Sequence, residues 1–198
     1  MKLPLFYRFA RTVCAAVAAL IYNCKFEGLN NFPEDGGFIL VCNHRSYVDP
    51  VLLGLRLKHP LVFMAKAELF KIPVLGFLMK KLGAFEVSRG IGGTSALDFA
   101  IKTVNEGKAL ALFPEGTRSK TGELKKPKSG VVVIAAQTGS IIIPAAISFQ
   151  GKLRFRRRIT IRYGKPIDPK TLKIDLTDRS TIRTAANTVM NSISELLE

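Results

Sequence analysis

Five short, mostly apolar runs punctuate the chain: Phe38–Cys42, Leu61–Ala65, Ala84–Val87, Ala109–Phe113 and Ile141–Ile147. Each is short for a helix and reads as a strand; Phe38–Cys42, which follows the turn signal Glu34–Gly37, reads as a buried one. Between them lie segments of helical character. Ser46 opens one expected to run to Leu57, Ala67–Leu82 is broken at Pro73 and Gly76, and Ser95–Glu106 closes at Gly107. A glycine just past the last periodic residue is a common helix stop because it tolerates positive φ. Gly130–Thr138 is another helix, and Ile182, Ala186, Val189, Ile193 and Leu196 mark a C-terminal one. Strand–helix alternation predicts an α/β fold, a mostly parallel sheet flanked by helices. Pro144 lies inside the last run and points to an edge strand or a strand end, since it has no N–H to donate. The 198 residues form one folding unit by length, with an N-terminal helix over 1–24 set apart from a domain over 25–198.

Charge narrows the partners. Thirty Lys and Arg against fifteen Asp and Glu leave +15, in a chain that is 47% hydrophobic. That composition excludes a disordered tail, a collagen-like repeat and a long coiled coil. A surface so positive attracts anions: nucleic acid, anionic headgroups or phosphorylated substrates. A mean hydropathy of +0.20 in so charged a chain favours a membrane surface. The N-terminus has the same character. Its clean apolar run, Val13–Tyr22, is ten residues, half of the roughly 20 needed to span a bilayer. Phe6, Phe9, Val13, Val17 and Leu20 recur at helical spacing, with Arg8 and Arg11 on a flank. That pattern is read as an interfacial helix with its arginines among phosphates, with a buried core helix and a cleaved signal as rivals. The three cysteines, Cys14, Cys24 and Cys42, form no C-x-x-C pair, and an odd count suggests reduced thiols and a cytosolic setting. With only His44 and His59 as histidines, no His/Cys cluster resembles a metal site.

Two segments carry chemistry, both where a strand runs out. In Asn43-His44-Arg45-Ser46-Tyr47-Val48-Asp49, the carboxylate can fold back on the imidazole if His44 sits in the loop and Asp49 in the first helical turn. A carboxylate on one ring nitrogen fixes the tautomer and leaves the other as a base. Ser46-x-x-Asp49 is also a capping box, in which Asp49 serves only the helix N-terminus. In Phe113-Pro114-Glu115-Gly116-Thr117-Arg118-Ser119, Pro114 ends the ladder, Gly116 permits a tight turn and Arg118 stands beside exposed amides. Such a loop can cradle a phosphate, with Glu115 holding Arg118 or the neighbouring loop. An ordinary strand-to-helix turn has the same composition.

Together these segments resemble the glycerophospholipid acyltransferase family, in particular the 1-acylglycerol-3-phosphate acyltransferases. The N-H-x-x-x-x-D block is matched at Asn43, His44 and Asp49, and F-P-E-G-T-R-S at every position from Phe113 to Ser119. Gly83 through Arg89 matches the block between them, and Ile143-Pro144-Ala145 the weak fourth block, all in family order. The resemblance implies transfer of a fatty acyl group from acyl-CoA or acyl carrier protein to the hydroxyl of 1-acylglycerol-3-phosphate, giving phosphatidic acid. Glycerol-3-phosphate or another lysophospholipid is the alternative acceptor. It implies His44 as general base, Asp49 as its partner, Arg89 and Arg118 on the acceptor phosphate, and Glu115, Gly116 and Thr117 shaping that pocket. No cofactor is implied beyond the acyl thioester co-substrate.

Gly151–Pro166 holds seven basic residues and no acidic one, and Lys120, Lys125, Lys126 and Lys128 follow Arg118. As a strand, Leu153–Tyr163 has one apolar and one basic face, with Arg157 marking a bulge or an edge. These clusters suit an anionic membrane surface as a second anchoring signal, or the phosphates of coenzyme A or an acidic carrier. The implied location is the cytoplasmic face of a membrane, bound peripherally or monotopically. The rivals are a non-catalytic membrane module and a nucleic-acid binder; the chain lacks RNP blocks, helix-turn-helix and zinc-finger patterns, so nucleic acid is not an expected partner.

Overall fold

The computed structural model describes residues 5–73, 76–77, 84–87 and 93–198. Its elements are α1 (Leu5–Ile21), β1 (Asn23–Glu27), β2 (Phe38–Cys42), α2 (Asp49–Gly54), β3 (Leu61–Lys66), α3 (Ala67–Phe70), β4 (Phe85–Val87) and α4 (Gly93–Asn105). They continue with β5 (Ala109–Leu112), α5 (Gly130–Thr138), β6 (Ile142–Ser148), β7 (Arg158–Tyr163) and α6 (Arg179–Glu195). The strands form one sheet in the order β1-β7-β6-β2-β5-β3-β4. Every neighbouring pair is parallel except β6–β7.

β2 is apolar at all five positions because both faces of the sheet are covered there. Its alternate residues divide between two cores. Phe38, Leu40 and Cys42 pack with Leu52 and Leu53 of α2, Ala18 of α1 and Ile159, Ile161 and Tyr163 of β7. Ile39 and Val41 meet Ala100 and Val104 of α4, Val132 and Ala135 of α5, and Val189 and Ile193 of α6. The result is the expected helix–sheet–helix sandwich. Burial of each such aliphatic side chain stabilises it by about 1.5–3 kcal/mol.

Pro144 corrects the expectation of an edge, since β6 lies inside the sheet between β7 and β2. The Ile142–Ile167 bridge and the Ala145–Tyr163 pair are out of step by one residue on the β7 side, so a bulge lies opposite Pro144. The Gly164 N–H donates to the Pro144 carbonyl at 2.7 Å. A proline nitrogen facing a bulge removes no regular ladder bond. The basic strand is also shorter than its alternation suggests. It begins at Arg158, and Arg156 just before it has φ 58 in a loop whose N–H donates to the Ile21 carbonyl. Only Ile159, Ile161 and Tyr163 keep the inward alternation.

α1 packs one side on the core, as a core helix does. Ala18 is buried, and Cys14, Ala15 and Tyr22 pack against the same core. The opposite side leaves Leu5, Phe6, Phe9, Val13, Val17 and Leu20 exposed. Arg8 is exposed, whereas Arg11 turns inward and donates to the Leu57 carbonyl instead of lining the outer flank. Among the described residues, no helix is long and apolar enough to cross a membrane.

Candidate active site

β2 and β5 are parallel neighbours, so the loops that leave their C-terminal ends lie side by side at the centre of the sheet. This is where open α/β sheets place their sites. The loop after β2 is pinned at its first residue. Asn43 is 1% exposed, and its side chain accepts from the Ile147 N–H at 2.8 Å and donates to the Ile147 carbonyl at 3.1 Å. His44 is fixed on both sides of its backbone. Its N–H donates to Glu115 Oε1 at 2.7 Å, and its carbonyl accepts from the Ser119 N–H at 2.7 Å.

The helix starts later than its sequence suggests, at Asp49 rather than Ser46, because the intervening amides turn to the Asp49 carboxylate. Asp49 is fully buried, and its Oδ2 accepts from the N–H of Arg45 and of Ser46, each at 2.7 Å. The same oxygen lies 2.8 Å from His44 Nδ1. The carboxylate therefore does both things its sequence allowed, ordering the entry to α2 and holding the imidazole. An oxygen already accepting two N–H groups can only be an acceptor for the third. Nδ1 thus carries a hydrogen, and the lone pair sits on Nε2. α2 is anchored at its far end by Tyr163, whose hydroxyl donates to the Leu53 carbonyl at 2.8 Å; burial pushes that phenol up.

The second loop lies under the first. The Phe113 ring stacks on His44 with centroids 3.9 Å apart and planes 16° apart. Gly116 has φ 70, its N–H donates to the Phe113 carbonyl, and a β-carbon there would meet Lys128 Cε at 2.6 Å. The positive φ is what favours glycine here, since the Lys128 side-chain end can move aside. Glu115 is 5% exposed and does not hold Arg118: Oε1 takes the His44 N–H and Oε2 takes the Lys125 N–H at 3.1 Å. Lys125 Nζ donates to Thr117 Oγ1 at 3.2 Å and to the Arg118 carbonyl at 2.7 Å. The Arg118 guanidinium rests on the Tyr47 ring. Arg89 lies outside the described residues, as do Gly83 and Ser88 of the same block.

Three residues with no role legible in the sequence also build the site: Phe113 under the His44 ring, Tyr47 under Arg118, and Arg45. Arg45 Nη1 donates to the Phe149 carbonyl at 2.7 Å, its guanidinium lies 4.0 Å from the Phe149 ring, and Gly122 (φ 94) packs against it. It thereby joins the loops that follow β2, β5 and β6. Phe113 belonged to a matched block, but nothing in spacing pairs it with a histidine 69 positions away. Cys42 is two residues before His44 yet is fully buried, and burial, followed by the Asp49 charge, pushes its thiol well up. A thiol held protonated is no nucleophile. Among the described residues, no group of three or more His, Cys, Asp or Glu side chains is placed to hold a metal ion.

The sequence model described as Acyltransferase matches residues 23–148, which span both loops and the sheet centre. The chain belongs to this acyltransferase family. The acyltransferase is 33% identical over 165 residues to the 1-acyl-sn-glycerol-3-phosphate acyltransferase of Bacillus subtilis, covering 81% of this chain and 82% of that one. It is 32% identical over 149 residues to a lyso-ornithine lipid O-acyltransferase of Pseudomonas aeruginosa, covering 74% of this chain and 56% of that one. Its fold matches the crystal structure of the 1-acyl-sn-glycerophosphate acyltransferase PlsC from Thermotoga maritima, with TM-score 0.73 and 27% identity over 96% of this chain and 80% of that chain. The acyltransferase is thus an enzyme of α/β fold, and its matched region contains both His44 and Arg118.

Proposed function

We propose that this enzyme transfers a fatty acyl group from acyl-CoA or acyl carrier protein to the free hydroxyl of 1-acylglycerol-3-phosphate, forming phosphatidic acid in phospholipid synthesis. One observation carries the reading: Asp49 holds His44 Nδ1 at 2.8 Å and leaves Nε2 as the base, one loop away from Arg118. The acceptor hydroxyl attacks the thioester carbonyl as Nε2 takes its proton. The C–S bond then breaks, and the imidazolium returns that proton to the leaving sulfur. Asp49 stabilises the imidazolium; Arg118 and Arg89 hold the acceptor phosphate, with Gly116 and Thr117 shaping the loop beneath it. Glu115 acts on this pocket through the backbone of His44 and Lys125. No metal or other cofactor enters these steps.

The exposed stripe of α1 supports peripheral attachment to an anionic membrane surface, which in this reading is the cytoplasmic face. Phe155, 72% exposed within the arginine-rich loop before β7, adds a second apolar point among cations. In this reading residues 1–24 are the membrane-associated helix and 25–198 the catalytic domain. A second reading, another lysolipid as acceptor, draws on the lyso-ornithine lipid relative.

Product analysis by mass spectrometry tests the proposal, using 1-acylglycerol-3-phosphate, other lysolipids and both donor types beside His44→Ala. Phosphatidic acid formed by the parent, with turnover lowered about 10²–10⁴-fold or more in the variant, is the expected result. An active His44→Ala removes the base. A product only from another lysolipid moves the acceptor to the second reading.

A further inference from the structure

Tyr47 is 72% exposed, an aromatic side chain left in solvent three residues past His44. Its ring covers one face of Arg118, with the guanidinium carbon 3.4 Å from the ring centroid. A guanidinium stacked by its face keeps its in-plane N–H groups free, and that fork is what grips two oxygens of a phosphate. Among the described residues, Arg118 forms no ion pair with a carboxylate.

The backbone on which Arg118 rides is already tied to the base. Its carbonyl accepts from Lys125 Nζ at 2.7 Å, and the next N–H, of Ser119, donates to the His44 carbonyl at 2.7 Å. The remaining freedom lies in the long arginine side chain, and the Tyr47 ring limits it by covering one face of the guanidinium. A single loop, residues 43–49, therefore carries both the base and the platform for the cation.

We propose that Tyr47 is a positioning and specificity-determining residue. It holds the Arg118 fork edge-on at a fixed span from His44 and so favours acceptors with a phosphomonoester near the attacking hydroxyl. The inference rests on the reading of Arg118 as the acceptor-phosphate residue. A phosphomonoester offers three terminal oxygens and satisfies the fork in any rotation about its ester bond. A phosphodiester must present its two free oxygens in one orientation and carry its headgroup past the ring.

Steady-state kinetics of the parent, Tyr47→Phe, Tyr47→Ala and Arg118→Ala test this, with 1-acylglycerol-3-phosphate and with 1-acylglycerophosphoethanolamine as acceptors. Tyr47→Ala is expected to raise the acceptor KM about three- to tenfold with little change in kcat or donor KM, since a cation–π platform is lost. Its preference for the monoester over the diester narrows, and Tyr47→Phe, which keeps the ring, restores parental values. An unchanged acceptor KM in Tyr47→Ala overturns the role, as does equal impairment in Tyr47→Phe or a parallel rise in donor KM. Impaired Arg118→Ala beside unimpaired Tyr47→Ala sinks the Tyr47 role alone. A parent inactive on 1-acylglycerol-3-phosphate, or a fully active Arg118→Ala, instead removes the acceptor reading and the inference with it.

Discussion

Glu115 stands in the middle of a matched block, yet its chemistry faces the protein. Both carboxylate oxygens accept backbone N–H groups, one from His44 at 2.7 Å and one from Lys125 at 3.1 Å. It couples the backbone of His44 to the loop that carries Arg118. Glu115→Gln keeps the size but offers only one acceptor, so its amide NH₂ must face a donor. An unsatisfied buried group of this kind costs about 1–3 kcal/mol. The expected outcome is a lower Tm and a lower kcat with the acceptor KM close to parental, read by thermal unfolding and steady-state kinetics. A raised acceptor KM at unchanged Tm would instead mean that Glu115 touches the substrate.

At the scale of elements, the site depends on how β2 ends. The Asn43 side chain imitates one more strand residue, meeting both the N–H and the carbonyl of Ile147 and extending the β2–β6 pairing past Cys42. Asn43→Ala leaves those two buried groups without partners. Each 1 kcal/mol lowers Tm by about 2–4 °C in a chain of this size, so a drop of several degrees and a reduced kcat are expected. Unchanged unfolding would show that Asn43 is not this stitch. The same junction shows what could be read in advance. The strands were legible because burial on both faces demands unbroken apolar runs such as Phe38–Cys42. His44 and Asp49 were legible because their bond spans only five positions of one loop. The late start of α2 was not, since it follows from Oδ2 of Asp49 capturing the amides of Arg45 and Ser46. Nor was the interior place of Pro144, which depends on a bulge in a different strand. Contacts set by folding, such as Phe113 on His44 or Tyr47 under Arg118, leave no local pattern at all.

Across the whole molecule, charge and apolar surface are distributed toward a common task in the proposed reading. The exposed residues of α1 lie along one side of a helix whose other side is packed on the core, so their exposure is not required by folding. Phe9 is 67% exposed and Val13 44% exposed on that side. Moving such a side chain from water to a bilayer interface contributes about 1.5–3 kcal/mol if burial is complete. Basic residues near an anionic surface add about 1 kcal/mol each, a contribution that salt screens. The net charge of +15 therefore predicts binding to anionic vesicles that weakens as salt rises, while the helix supplies a part that does not. Phe9→Asp removes apolar area and adds a carboxylate repelled by the surface. In sedimentation with vesicles containing phosphatidylglycerol, it is expected to lower partitioning about tenfold or more at every salt concentration. Its turnover of a short-chain, water-soluble acceptor should match the parent, because Phe9 is largely exposed on the outer side of α1. Parental partitioning of Phe9→Asp would assign the stripe to some other partner. Loss of soluble turnover would show that α1 acts through the fold and not through the membrane.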